Sequence, residues 1–396
     1  MDAGRRKFLK NYSSAAAALA AAPLLVPRTT WGANDRLTYG VIGTGRRGQY
    51  VSEFFHKLGA QCVALCDVYD LNLEAARKDA PGARTYLDYR DLVAHKGLDC
   101  VLIATPDHQH YPCLLAALNA GKDVYLEKPV SMSLEQSART VAAVRKTRQI
   151  VQVGTQRRSA PLYQSAKKLL DQGMLGRIRM VKATLNSLPF TQLDNSPLPG
   201  KLDWERFLGP APRRPLEPRR FRWWRVFWDY SGGTMTDNGC HLMDVVQWLC
   251  NSGPPRSAVC QGRVVAIAGA ETPDVLSVVF EYPEFPATLT FNMTNTYQGL
   301  LFEFQGDQGT LVLDGAGFRV YKEPWSAKEN REPIHSESGG VPMDAHVRNF
   351  LDCIKSRQEP VCPIEEGVAG VAGLHLANVA FREGRRAKLA EFAQPK

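Results

Sequence analysis

Four stretches of the chain carry residue types whose spacing could do chemistry. Glu127-Lys128-Pro129 follows Asp123-Val124-Tyr125-Leu126, an apolar run that reads as a buried strand entered through Ala120-Gly121-Lys122. Ligands of a parallel α/β sheet bind just outside strand carboxyl ends, so a lysine there can reach into a crevice, and the proline blocks a simple continuation of the strand. Taken alone, Lys128 reads more readily as a surface loop residue. Gly43-Thr44-Gly45-Arg46-Arg47-Gly48 is a Gly-x-Gly-x-x-Gly run between an apolar strand and a helix. In that context the glycines allow a tight turn and close approach of a pyrophosphate to a helix N-terminus. Asp67 ends the next strand, about 20 residues beyond the glycines, where a carboxylate can hold ribose hydroxyls or serve as a turn or cap residue. Arg46 and Arg47 could lie over an adenine or meet a 2′-phosphate; Asp67 favours NAD over NADP. Finally, Asp237, His241 and Asp244 stand at i, i+4 and i+7 after Gly232-Gly233. On one helix they share a face, and a histidine beside carboxylates is a natural proton acceptor near neutral pH. Zinc would need a third nitrogen or sulfur ligand at close spacing, so no metal site is expected.

The elements that must position these residues follow from periodicity. Short apolar runs at 37–42, 61–66, 99–104, 123–126 and 150–154 alternate with helical stretches at 49–58, 111–119 and 134–148. Such alternation predicts a doubly wound parallel sheet covered on both faces. After Gly154 the pattern changes. A helix is expected at 162–172, then alternating strands at 179–186, 259–268, 275–282, 287–294, 300–305, 310–314 and 318–321. These predict a large, mostly antiparallel open sheet, one face on helices and the other free for a subunit interface. Amphipathic helices at 344–357 and 365–382 close the chain, with His346 and His375 read as structural. The boundaries are therefore a leader over 1–33, a Rossmann domain over 34–155 and a second domain over 156–396, whose last helices could pack back on the first.

Between them lies 189–230, rich in Pro, Arg and Trp, including Trp204, Arg222, Trp224, Arg225 and Trp228. Loops this long are uncommon unless functional. Tryptophan faces and arginine forks suit a polyhydroxylated ligand, and suit equally a loop tied to the core or to a partner subunit.

Composition bounds the rest. The 396 residues are 44% hydrophobic and 22% charged, enough for two ordinary domains. The net charge of +9 is concentrated partly near the start, and no basic stripe favours nucleic acid. Arg5-Arg6-Lys7-Phe8-Leu9-Lys10 followed by a small apolar run over 15–26 reads as a twin-arginine signal, too short and alanine-rich for a membrane span. Export after folding, to the periplasm, is the expectation. The nine scattered cysteines predict free buried thiols rather than a disulfide framework.

Val41-Ile42-Gly43-Thr44-Gly45-x-x-Gly48, Ala104-Thr105-Pro106 followed by His110, Glu127-Lys128-Pro129 and Asp237-x-Gly239-x-His241-x-x-Asp244 together resemble the Gfo/Idh/MocA oxidoreductase family, named for glucose–fructose oxidoreductase and inositol dehydrogenase. The resemblance covers nearly all of the chain after the leader. It implies a Rossmann domain, a C-terminal α/β domain with an open sheet, and dimers or tetramers built through that sheet. It implies an NAD cofactor (NADP as the variant) held by Gly43, Thr44, Gly45, Arg46, Arg47, Gly48, Asp67, Thr105, Pro106, His110, Glu127 and Lys128. Lys128 then resembles the lysine beside the nicotinamide ribose and the reacting hydroxyl, His241 the acid/base, and Asp237 the substrate-orienting acid. Arg158 is similar to an arginine at the substrate mouth. Tyr163 and Trp224 are substrate contacts on chemistry alone. The implied reaction is hydride transfer with a sugar or polyol as the small-molecule substrate. For an exported enzyme the cofactor would be held tightly and recycled in place. Two alternatives stand: a glycoside hydrolase working by transient oxidation and elimination, and a non-catalytic sugar-binding protein on the same scaffold.

Overall fold

The computed structural model describes residues 36–188, 192–326 and 331–392; the expected twin-arginine segment lies outside them. Six strands, β1 (Thr38–Ile42), β2 (Gln61–Cys66), β3 (Arg84–Tyr86), β4 (Cys100–Ile103), β5 (Asp123–Leu126) and β6 (Val151–Val153), form a sheet in the order β3-β2-β1-β4-β5-β6. Every neighbouring pair is parallel. The chain passes from β1 to β2 on one side and returns to β4 on the other. The switch point, where parallel sheets open a crevice, therefore lies just past Ile42. The helix after β1 spans Arg46–Lys57 and starts directly at the glycine turn, three residues earlier than its apolar pattern predicts.

The second sheet has nine strands: β7 (Ile178–Asn186), β8 (Ser257–Arg263), β9 (Val275–Glu281), β10 (Pro286–Asn292), β11 (Leu300–Gly306), β12 (Gly309–Asp314), β13 (Gly317–Lys322), β14 (His335–Ser338) and β15 (Ala387–Lys388). Their order is β14-β13-β12-β11-β7-β10-β9-β8-β15. Only β7 and β10 run parallel; the other pairs are antiparallel. Strict alternation sorts β9 into buried Leu276, Val278 and Phe280 against exposed Ser277, Val279 and Glu281. The inward face packs on the helices Gly239–Leu249 and Ile364–Glu383. The outward face mixes Val259 and Val279 with Lys182 and Glu303, which pair at 3.4 Å, so it is less apolar than the strand pattern predicts.

The helix Met343–Ser356 carries Met343, Val347, Phe350, Leu351 and Ile354 on one stripe. That stripe lies on the parallel sheet, with Phe350 5.9 Å from Phe55 and 5.7 Å from Tyr125 between ring centres. The C-terminal segment thus covers the Rossmann sheet.

The Trp- and Arg-rich stretch is not structureless. It holds short helices at Trp204–Leu208, Pro218–Arg222 and Trp224–Val226 around an apolar cluster of Phe207, Leu208, Val226, Phe227, Tyr230 and Ile267. Trp204 stacks on Phe207 at 5.0 Å and donates its indole N–H to Arg214 O at 2.7 Å. It ties the loop, whereas Trp224 reaches the cavity described below. The expected helix over Asp237, His241 and Asp244 is interrupted at Asn238, giving Gly233–Asp237 and Gly239–Leu249.

Candidate active site

The glycine turn is built by contact. Gly43 has φ +87°, and a Cβ there would stand 2.7 Å from the Ala104–Thr105 backbone. A Cβ on Gly48 would meet Gly43 O at 2.0 Å, so the helix start lies directly on the turn. Gly45 differs. Its Cβ would meet nothing nearer than Asn72 Nδ2 at 3.7 Å, so packing does not demand glycine there. The space its missing side chain leaves belongs to a cavity of about 1460 Å³. The helix beginning at Arg46 has no side-chain cap and no acid in its first turn. Orphan N–H groups and an open approach are what a pyrophosphate needs, and the residues present fit a dinucleotide.

Asp67 lines the same cavity. Its Oδ2 accepts from Thr44 N at 2.8 Å and Asn72 Nδ2 at 3.2 Å, and its Oδ1 from Tyr69 N at 3.0 Å. The carboxylate therefore shapes the turn, one of the two roles its sequence position left open, and also lines the cavity. Burial raises its pKa although these donors oppose the shift. Arg47 lines the cavity and donates to Glu127 Oε1 at 2.8 Å, binding the helix start to the end of β5. Arg46 remains exposed at the cavity edge. Thr105, Pro106 and Glu127 line the cavity; Thr44, Gly48 and His110 stand behind its wall. His110 joins Pro129 O at 2.7 Å and Thr105 O at 2.9 Å, so it acts on the cavity only through the two loops it holds.

A strap crosses the cavity beside the residues that follow β2. Leu202 bridges to Tyr69, Asp203 N donates to Val68 O at 2.8 Å, and Lys201 N donates to Asp70 Oδ1 at 2.9 Å. Gln109 donates to Arg206 O and Phe207 O, each at 2.9 Å. Asp203, Arg206, Phe207 and Phe221 line the cavity from this side.

The reactive groups meet where the two sheets' loops converge. Lys128 Nζ donates to Asp237 O at 2.7 Å and pairs with the Asp237 carboxylate, whose other oxygen lies 3.2 Å from Arg225 Nε. Burial would raise the Asp237 carboxyl, but the Lys128 ammonium and the Arg225 guanidinium outweigh it and hold it well below the usual carboxylate range. Arg225 also stacks over Trp224 at 4.2 Å. His241 lines the same wall. Its Nδ1 is buried without a hydrogen-bond partner among the described residues. Burial, then the charges of Arg157, Lys128 and Arg47, push its pKa well down against the pull of Asp237, so the imidazole is neutral and able to accept a proton.

Three sequence expectations are corrected. Asp244 does not serve His241. It is buried and gives Oδ1 to Arg158 Nε at 2.8 Å, while burial pushes its carboxyl up to about 6. Arg158 is no mouth residue: it is 6% exposed and bonds Glu366 at 2.9 Å as well. The single turn Gln156–Ser159 aims Arg158 inward and leaves Arg157 as the arginine that acts on His241. Two adjacent arginines cannot be told apart by spacing alone. Tyr163 is 2% exposed and packed in the core, away from the cavity, because its helix turns that face inward. Residues missed in the sequence are Asp107 and Arg157, while Arg225 was one of several loop arginines that spacing could not rank; Asp107 stood in plain view one residue after Pro106.

Among the described residues, no group of three or more His, Cys, Asp or Glu is placed to hold a metal ion, no helix is long and apolar enough to cross a membrane, and all nine cysteines are free.

Known proteins share this two-domain fold. Residues 37–155 match the model of an oxidoreductase family with an NAD-binding Rossmann fold, and residues 167–389 match that family's C-terminal α/β domain. Inositol 2-dehydrogenase 2 of Saccharopolyspora erythraea is 35% identical over 290 residues, covering 72% of this chain and 70% of its own. Inositol 2-dehydrogenase of Corynebacterium glutamicum is 27% identical over 248 residues, 62% of this chain, and the match spans only 63% of that relative's length. Among solved structures, a levoglucosan dehydrogenase in complex with NADH and levoglucosan superimposes with a TM-score of 0.73 at 17% identity, covering 89% of this chain and 99% of that one. The WlbA dehydrogenase of Bordetella pertussis, with NADH and UDP-GlcNAcA, gives 0.70 at 22% identity over 89% of this chain and 98% of its own. With both halves matched, the chain belongs to the Gfo/Idh/MocA family of NAD-binding oxidoreductases.

Proposed function

We propose that this protein is an NAD-dependent dehydrogenase of a sugar, sugar derivative or polyol. One observation carries the reading: Lys128, from the strand end beside the glycine turn, meets Asp237 and His241, from the other half of the chain, in the wall of one cavity. When bound, NAD supplies the hydride acceptor. Lys128 donates a hydrogen bond to the reacting hydroxyl oxygen and stabilises the negative charge that develops there. His241, neutral, takes the hydroxyl proton on a ring nitrogen. Asp237, held ionised by Lys128 and Arg225, orients the lysine and accepts from the substrate. Trp224 and Arg225 form the mouth, where an apolar ring face can lie on the indole. The relatives that act on inositol and levoglucosan support the substrate class.

The strap over 199–207 supports a cofactor that stays bound through many turnovers. The Arg5-Arg6-Lys7-Phe8-Leu9-Lys10 signature supports export of the folded holoprotein to the periplasm, where bound cofactor would be recycled in place. Homodimers or homotetramers would form through the outward face of the nine-stranded sheet, around Val259 and Val279.

Replacement of Lys128 by alanine tests the assignment. Turnover should fall by about 10²-fold or more while NAD stays bound. Turnover near the unmodified rate with NAD still present removes Lys128 from this role.

A further inference from the structure

The hydride-transfer scheme gives no task to Asp107, a buried carboxyl of the cavity wall. Asp107 follows Thr105-Pro106 at the end of β4 and opens a single 3₁₀ turn, Asp107–Gln109. It is 2% exposed and lines the cavity with Lys128, Asp237 and His241. Its Oδ2 accepts from Ser231 Oγ at 2.7 Å, and that hydroxyl accepts from Gly233 N at 3.2 Å. Beside it, His108 N donates to Tyr230 O at 3.2 Å. The carboxyl is thus fixed by a zipper between the β4 loop and the bend before the Gly233–Asp237 helix.

Its other oxygen has no hydrogen-bond partner among the described residues. No cation takes that oxygen, because Lys128 and Arg225 are both committed to Asp237. The groups acting on Asp107 are Asp237 and Cys240 on two helices, Lys128 after β5, Arg225 on the loop and the Ser231 hydroxyl. Burial, then the Asp237 charge, push the carboxyl up to about 7 against the opposing Ser231, Lys128 and Arg225. Two carboxyls of one wall are thereby driven apart, Asp237 ionised throughout and Asp107 changing charge near neutrality, a pattern that separates roles within a site. An acceptor oxygen of a cavity-lining carboxylate that no protein donor takes is free to accept an O–H from a ligand in the cavity.

We propose that Asp107 is a further substrate ligand, whose unshared oxygen accepts a hydroxyl of the sugar or polyol next to the one being oxidised, and that the ionised form makes this bond. The proposal rests on the reading of Lys128 and His241 as the hydride-transfer site. As pH falls and Asp107 takes up a proton, the charge-assisted acceptor is lost and the sugar binds more weakly, while NAD does not.

The test uses the full-length holoprotein with myo-inositol and levoglucosan as probes. In Asp107→Asn, KM should rise on the order of tenfold or more, because a hydrogen bond to a charged group is lost, while kcat changes far less. Bound NAD per chain should stay the same, and the acid limb of kcat/KM near neutral pH should vanish. Ser231→Ala separates ligation from mere positioning: it keeps the carboxyl, so the acid limb should remain and move upward. If Asp107→Asn does not fold, the unmodified holoprotein still decides, since its KM must climb as pH is lowered from about 8 to about 5. An unchanged KM and acid limb in Asp107→Asn, or a KM independent of pH in the unmodified protein, overturns the proposal. If neither probe, nor UDP-GlcNAcA, reduces bound NAD, the hydride-transfer reading itself fails and this role falls with it, a different result from normal turnover in Asp107→Asn.

Discussion

The three glycines of the phosphate turn do different work, and the difference is measurable. Gly48 has no room for a side chain, since its Cβ would sit 2.0 Å from a carbonyl oxygen. Gly45 has room, but the room lies in the cavity at the helix start. Gly45→Ala should therefore leave the thermal midpoint of cofactor-stripped protein nearly unchanged and weaken NAD binding in a titration. Gly48→Ala should destabilise the fold by about 1–3 kcal/mol through overpacking. Equal losses of stability in the two variants would contradict this division. The same logic of position separates the carboxyls: Asp237 sits between two cations, Asp244 faces Arg158, and Asp107 has a single hydroxyl.

Arg158 shows how elements, rather than single residues, set the site. It joins the turn after β6 to the Gly239–Leu249 helix through Asp244 and to the Ile364–Glu383 helix through Glu366. Burial opposes its charge, but the Asp244 carboxylate keeps the guanidinium firmly protonated. Arg158→Ala would leave Asp244 buried without its cation, so it should cost about 3–5 kcal/mol of unfolding free energy in denaturant titration. A raised KM with undiminished stability would return Arg158 to the substrate mouth. Much of this architecture was legible beforehand. Strand–turn–helix periodicity marked the Gly43 turn, and the apolar run before Glu127 put Lys128 at a strand end, because local pattern decides both. The pairing of Arg158 with Asp244 spans 86 positions and depends on how one turn is rotated, which no spacing encodes. The strap was equally hidden. The stretch 189–230 has no periodic signal, and its short helices are held by aromatic packing around Phe207 and by bonds to Tyr69 and Asp70 rather than by propensity.

The molecule as a whole carries a pH signature. His108, His346 and His375 are each buried, and burial holds each pKa down to about 4. His346, for instance, on the helix Met343–Ser356, bonds Ser159 Oγ and Val153 O. Each group's folded pKa lies below its unfolded value, so the unfolded chain binds more protons between about 4 and 6.5. Their contribution is present above about 6.5 and is lost as pH falls through that window. Thermal midpoints should drop steeply from neutral pH to about pH 4, and less steeply when His375 is replaced by a neutral residue that fills its place. The cavity, the strap and the Lys128–Asp237–His241 wall together make one claim: a sugar or polyol gives its hydride to an NAD held inside this chain. The direct measurement is the absorbance of bound cofactor in purified full-length protein on addition of myo-inositol, levoglucosan or UDP-GlcNAcA. Reduced nicotinamide should appear with at least one of them, in proportion to bound NAD, and should appear far more slowly in Lys128→Ala. Bound NAD that no probe reduces, or reduction at the same rate without Lys128, would contradict the account.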